Sequence, residues 1–300
     1  MLLAVFIFFA HLDTTKDATL DNSYHQIESI SLKDYPTTME RVQLLSDKYS
    51  ELIKPWQSKL SQLSPEQVAT LFQAADLVGY YSGEPKFVDD MEADVSALER
   101  EGKATAHDRR DLYEAFLQTR QFNKARIFSA AHPDLSLEEI PKIDGAKLED
   151  RPSSLLVSEN GKSLAWHNVK IGSSQIVVVS HPECHFTQNA VRYIEDHPAL
   201  ARVLAEHSTW IAPPGRSLDV DAISSWNRDH PSESIALASA QSDWPMISSW
   251  ETPAFYFLKD GQLVETVIGW PKGGNTKALA DGLRKIGLHY TDSEAQPSSN

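Results

Sequence analysis

The stretch "QIVVVSHPECHFTQNA", Gln175 to Ala190, decides how the second half of this 300-residue chain is read. Ile176 to Val179 form a continuous β-branched run, the pattern of a strand buried on both faces. Ser180, His181 and Pro182 then break the strand, and from about Phe186 the spacing of apolar residues becomes helical. Between the two lies Cys184, the single cysteine of the chain. A thiol carried by a strand to the start of a helix meets unpaired backbone N–H groups and the positive end of the helix dipole. Both favour the thiolate and draw the cysteine pKa down from its ordinary value of about 8.5.

Working outward, "SSLLVSENGKSLAWHNV" reads as a hairpin turning at Asn160-Gly161. After Cys184 the pattern predicts one helix from about Phe186 to His207, a strand at "STWIAPP", a helix over Val220 to Arg228 and a strand at "SIALASA". "ETPAFYFLKDGQLVETVIGW" then gives two strands joined at Lys259-Asp260-Gly261-Gln262, and a helix from Thr276 to Ile286 closes the region. Strands and helices alternate first, and a hairpin with a helix follows.

The first half has a different period. Apolar residues recur at helical spacing from Thr37 to Ala131: Met39, Val42, Leu45, Tyr49, Leu52 and Trp56 in one segment, Phe87, Met91, Val95 and Leu98 in another. Ser64, Pro65 and Gln67 form a capping-box start, and Gly102 marks a helix end. The last helix pair, broken near Gln121 to Asn123, is similar to a tetratricopeptide-type pair, with a plain helical bundle as the alternative. The expected organisation is a signal-like apolar segment and polar linker over 1–20, a helical region over 35–132, a linker over 133–154, an α/β domain over 155–290 and a disordered tail over 291–300.

Composition sets limits. With 28 Lys plus Arg against 42 Asp plus Glu, the net charge is −14, a field that disfavours nucleic acid or anionic lipid as a main partner. One cysteine forms no intramolecular disulfide, so cysteine count leaves the redox compartment open. The apolar run Leu2 to Ala10 has the length of a signal-peptide core and is too short for a bilayer span. It points to an exported, periplasmic chain, although no basic residue precedes the run and Phe8 sits where a small residue usually precedes cleavage.

The strand "IVVVS", the loop "HPECHFT", a long helix and, much later, Thr252-Pro253 opening "AFYFLKDGQLVETVIGW" resemble the thioredoxin superfamily. The preceding hairpin is similar to the extension of its exported TlpA-type branch. The resemblance implies a thioredoxin-like α/β fold with a central mixed sheet, preceded here by the all-α helical-hairpin region. By motif match it places Cys184 as the attacking cysteine, Thr187 at the resolving position, and Pro253 as the cis-proline with Thr252 before it. It implies no cofactor. Thr187 in place of a second thiol is a departure: a CxxT site does not complete a dithiol–disulfide cycle alone and needs an external resolving thiol.

Three functions follow. In the first, Cys184 is a monothiol nucleophile acting on a protein or glutathione disulfide, as in isomerisation or deglutathionylation; Thr187 hydrogen-bonds the thiolate, His185 tunes it, and Thr252, Pro253 and Trp250 line the substrate site. In the second, the domain is redox-inert and binds a protein partner beside Pro253 or through the helical region. In the third, His181, Cys184 and His185 ligate Cu(I) or Zn(II).

Overall fold

The computed structural model describes residues 11–147 and 152–290, with side chains from residue 19 onward. The signal-like apolar run and the tail expected to be disordered lie outside the described residues. The chain divides into two compact units, Met1–Leu137 and Glu138–Asn300.

The first unit is helical: α1 (His11–Ser31), α2 (Thr38–Leu52), α3 (Lys54–Gln57), α4 (Pro65–Ser82), α5 (Pro85–Arg100), α6 (Ala106–Gln118) and α7 (Phe122–Ala131). Helix α4 packs against α1, α2, α5 and α6. Its start is the capping box expected from the sequence: Ser64 Oγ accepts from the Gln67 amide, and Gln67 Oε1 accepts from the Ser64 amide. Its end is set by Gly83, left-handed at φ 62°. Phe87, Met91, Val95 and Leu98 are all buried, whereas Met39, expected on an inward face, is 59% exposed. Helix α1 begins inside the stretch over 1–20 read as apolar segment and polar linker and runs on to Ser31, ahead of the helical region expected from residue 35. Its amphipathic pattern is thin, but Leu20 and Ile27, two turns apart, are fully buried because α2 and α4 cover them.

In the second unit, eight described strands form one mixed sheet in the order β1-β3-β2-β6-β5-β4-β7-β8. They are β1 (Lys142–Asp144), β2 (Ser153–Val157), β3 (Ser163–Asn168), β4 (Ser174–Val179), β5 (Ser208–Ala212), β6 (Ile235–Ala238), β7 (Ala254–Lys259) and β8 (Gln262–Ile268). Its helices are α8 (His185–Glu195), α9 (Pro198–His207), α10 (Val220–Asp229) and α11 (Thr276–Lys285). Strand β4 runs parallel to β5 and antiparallel to β7, and β7 and β8 form the closing hairpin. This is the thioredoxin-like arrangement expected from the order of elements.

Three differences from the sequence reading have local causes. The helix predicted from Phe186 to His207 is two helices, because Pro198 cannot supply an amide to a continuing helix and starts α9 instead. The stretch 133–154 read as linker carries β1, which gains its ladder only by pairing with β3, and the first residues of β2. The sheet face bearing Val177, Val179, Tyr256 and Leu258 is covered by Trp244 and Ile247, with Met246 and Trp250 packed against them, so the segment before Pro253 is a lid on the core.

Candidate functional site

The site begins where β4 ends. The Ser180 amide donates to Ile211 O at 2.8 Å, closing the parallel ladder, and the chain turns through His181–Glu183 with the Cys184 amide on His181 O at 3.0 Å. Pro182, buried in the turn, has its carbonyl taken by Gln188 Nε2 at 2.8 Å. Cys184 is therefore the N-cap of α8, with extended backbone angles (φ −75°, ψ 111°), and its carbonyl accepts the first helical bond from the Gln188 amide. The thiol does not cap the helix. Half-buried, it turns across the loop to the Thr252 carbonyl, 3.2 Å from Sγ.

The Thr252–Pro253 peptide bond is cis and leads directly into β7, paired with β4 at Val179 and Ala254. Cys184, Thr252 and Pro253, expected together, are brought together. The loop before them is held by Tyr256, whose hydroxyl donates to Ser249 O at 2.5 Å and accepts from the Ser249 amide at 3.0 Å. Trp250 is half-buried against the sheet core, so it anchors this loop as much as it faces outward.

Burial pushes the Cys184 thiol up, but the nearby donor groups of Thr252, Thr187 and Phe186 outweigh it, and the pKa lies below the ordinary thiol value. Thr252 acts in both directions here: its carbonyl accepts from the neutral S–H and favours the thiol, while a hydroxyl donor favours the thiolate. Of the groups that favour the thiolate the Thr252 side chain contributes most, and the helix-start donors of Thr187 and Phe186 add to it. Thr187 is fully buried, and in this arrangement its Oγ1 has no hydrogen-bond partner that meets ordinary geometry. An orphaned hydroxyl in a dry site is costly, and a charged sulfur beside it is a partner it lacks. Ser180 Oγ, also buried, is orphaned as well.

The histidines are placed differently from the sequence reading. His181 points to Asp219, Nε2 to Oδ2 at 3.2 Å, and its Nδ1 accepts from the Glu183 amide at 3.3 Å. The exposed His185 meets Asn189 at 3.1 Å and stacks beside Phe186, and it is not among the groups that shift Cys184. His181, Cys184 and His185 thus do not converge as a metal-ligand set among the described residues. Asp219 was not singled out from the sequence. It holds a left-handed backbone (φ 47°), accepts from Ser217 Oγ at 2.8 Å, and is kept below the usual carboxylate range chiefly by His181. It lies 38 residues from His181, so no local pattern announces the pair.

No protein family matches the chain, and no curated protein does. Among solved structures it is similar to a thioredoxin-like protein from Bacteroides caccae ATCC 43185, at 11% identity over 95% of this chain and 99% of that one, with a TM-score of 0.30. The fold assignment rests on the strand order and directions described above. No described helix is long and apolar enough to cross a membrane.

Proposed function

We propose that the second unit carries out monothiol thiol–disulfide exchange with Cys184 as the nucleophile. The observation that carries the reading is the position of the sulfur: at the start of α8, drawn below the ordinary thiol pKa, and 3.2 Å from the carbonyl of the residue before a cis-proline. The Cys184 thiolate attacks one sulfur of a substrate disulfide. A new S–S bond forms to Cys184, the original S–S bond breaks, and the departing thiolate takes a proton from solvent. Thr187 offers no second thiol, so an external thiolate attacks the mixed disulfide and releases Cys184. Each step exchanges one S–S bond for another, with no net oxidation and no cofactor.

Phe186, 48% exposed and two residues after Cys184, supports a protein disulfide over glutathione alone, because it offers apolar contact for chain flanking the reacting cysteine. Export to an oxidising compartment and recruitment of a protein partner by the helical unit belong to the same proposal, on the apolar run Leu2 to Ala10 and the several amphipathic helices.

The test is the alkylation rate of the folded protein against pH, followed by release of glutathione from a mixed disulfide with reduced glutathione as the external thiol. Half-maximal alkylation is expected below the ordinary value of about 8.5, and Cys184→Ser abolishes exchange. Labelling that begins only on unfolding overturns the proposal in favour of a redox-inert binding module.

A further inference from the structure

We propose that Glu195, His230 and Glu233 form a binding site for one divalent transition-metal ion, zinc by the character of its donors. The three residues come from separate elements. Glu195 ends α8, His230 caps the C-terminus of α10, and Glu233 lies on the short 3₁₀ turn Pro231–Glu233 that follows. Pro231 stops the helix and swings the chain back, so that one donor atom from each residue lies within 4.8 Å of the other two.

The decisive member is Glu233. It is 2% exposed, and its carboxylate is held by its own backbone amide, while the neighbouring His230 is paired with Glu195. Its backbone is fixed on both sides, the amide on His230 O at 3.1 Å and the carbonyl accepting from Trp226 Nε1 at 3.0 Å. A buried carboxylate beside a second carboxylate is expensive unless a cation joins them.

The imidazole is held in place for that cation. The His230 ring lies against Trp226 with centroids 4.1 Å apart, and Nδ1 meets Glu195 Oε1 at 2.6 Å. One nitrogen and two carboxylate oxygens match zinc, whose donors in a tetrahedral site sit about 3.4 Å from one another, so closure from the observed spacing needs only small side-chain rotations. Glu195 and His230 also line a cavity of about 330 Å³ with Gln188, Arg192 and Trp226, which leaves room for a fourth, exogenous ligand. Arg192, a cation in that lining, is directed to Asn189 Oδ1 at 3.4 Å. Bound metal would tie the end of α8, whose first turn carries Cys184, to the connection entering β6. The site does not depend on thiol chemistry.

Zinc is titrated into the EDTA-treated full-length protein in competition with a chromophoric chelator. One ion per chain is expected. His230→Ala, Glu195→Gln and Glu233→Gln each weaken binding by more than about tenfold, the lower bound for losing even an outer-shell partner, and Cys184→Ser leaves it unchanged. Circular dichroism identifies any variant that fails to fold; for the buried Glu233, the exposed Glu195 carries the same expectation. No zinc retained by the folded protein, or binding that survives His230→Ala and Glu195→Gln, overturns the proposal. So does binding lost only in Cys184→Ser, which would return the metal to the loop around the thiol.

Discussion

Thr187 is the residue on which reactivity and stability separate. Its hydroxyl is buried without a partner, a burden of about 1–3 kcal/mol for an unsatisfied polar group, and it sits where donors favour the Cys184 thiolate. Thr187→Val replaces the hydroxyl by a methyl of similar size. The expected outcome is a melting temperature unchanged or higher, together with an upward shift of the pH at half-maximal alkylation of Cys184. A large loss of stability with no change in alkylation would show that the hydroxyl packs and does nothing for the sulfur. The sequence made Cys184, Thr187 and Pro253 legible because each stands at a punctuation point, a strand end, a first helical turn or a proline. It misdirected His185 and His181, since which way an imidazole turns depends on Asn189 and on the distant Asp219.

At the scale of elements, the site is as firm as the loop that delivers Thr252. Strand β7 is fixed on both sides by β4 and β8, but the segment from Gln241 to Thr252 relies on Trp244 and Ile247 in the core and on the two bonds between Tyr256 and Ser249. Tyr256→Phe keeps the ring and leaves the buried Ser249 amide and carbonyl without that partner. It is expected to destabilise the protein by about 1–3 kcal/mol in urea unfolding and to slow alkylation by displacing the Thr252 side chain that favours the thiolate. The turns and caps of this unit followed from local chemistry, as at Asp260-Gly261, both with positive φ. The break between α8 and α9 was also written locally, in Pro198, but the apolar spacing runs through it and masks it. Strand β1 had no such signal. Three residues make a strand only when a partner is already present.

Across the whole chain, acidity is distributed over a fold that buries at least one carboxylate outright. Asp94 in α5 is fully buried, Gln57 donates to Oδ2 at 2.8 Å, Oδ1 is orphaned, and burial above all raises its pKa to about 8. The folded chain therefore keeps this proton up to about pH 8, while the unfolded chain releases it near pH 4. Between those limits the unfolded state binds fewer protons, so this group's contribution to stability falls as pH rises, by up to about 1.4 kcal/mol per unit, and levels off above the folded pKa. Unfolding of the wild-type chain compared with Asp94→Asn from pH 5 to 8 is expected to show a downward slope that the variant lacks; parallel curves would refute it. What the sequence determined by itself was local: the change from helical to strand period, the caps, the hairpin turns, and a thiol set at a helix start opposite a proline-led strand, because neighbours along the chain dictate these. The tertiary structure decided which side chains meet: Cys184 with the Thr252 carbonyl, His181 with Asp219, Glu195 with His230 and Glu233, and α1 with α2 and α4. Those contacts bridge segments far apart in sequence, and burial and hydrogen bonding there depend on the folded surroundings, which periodicity along one segment does not encode.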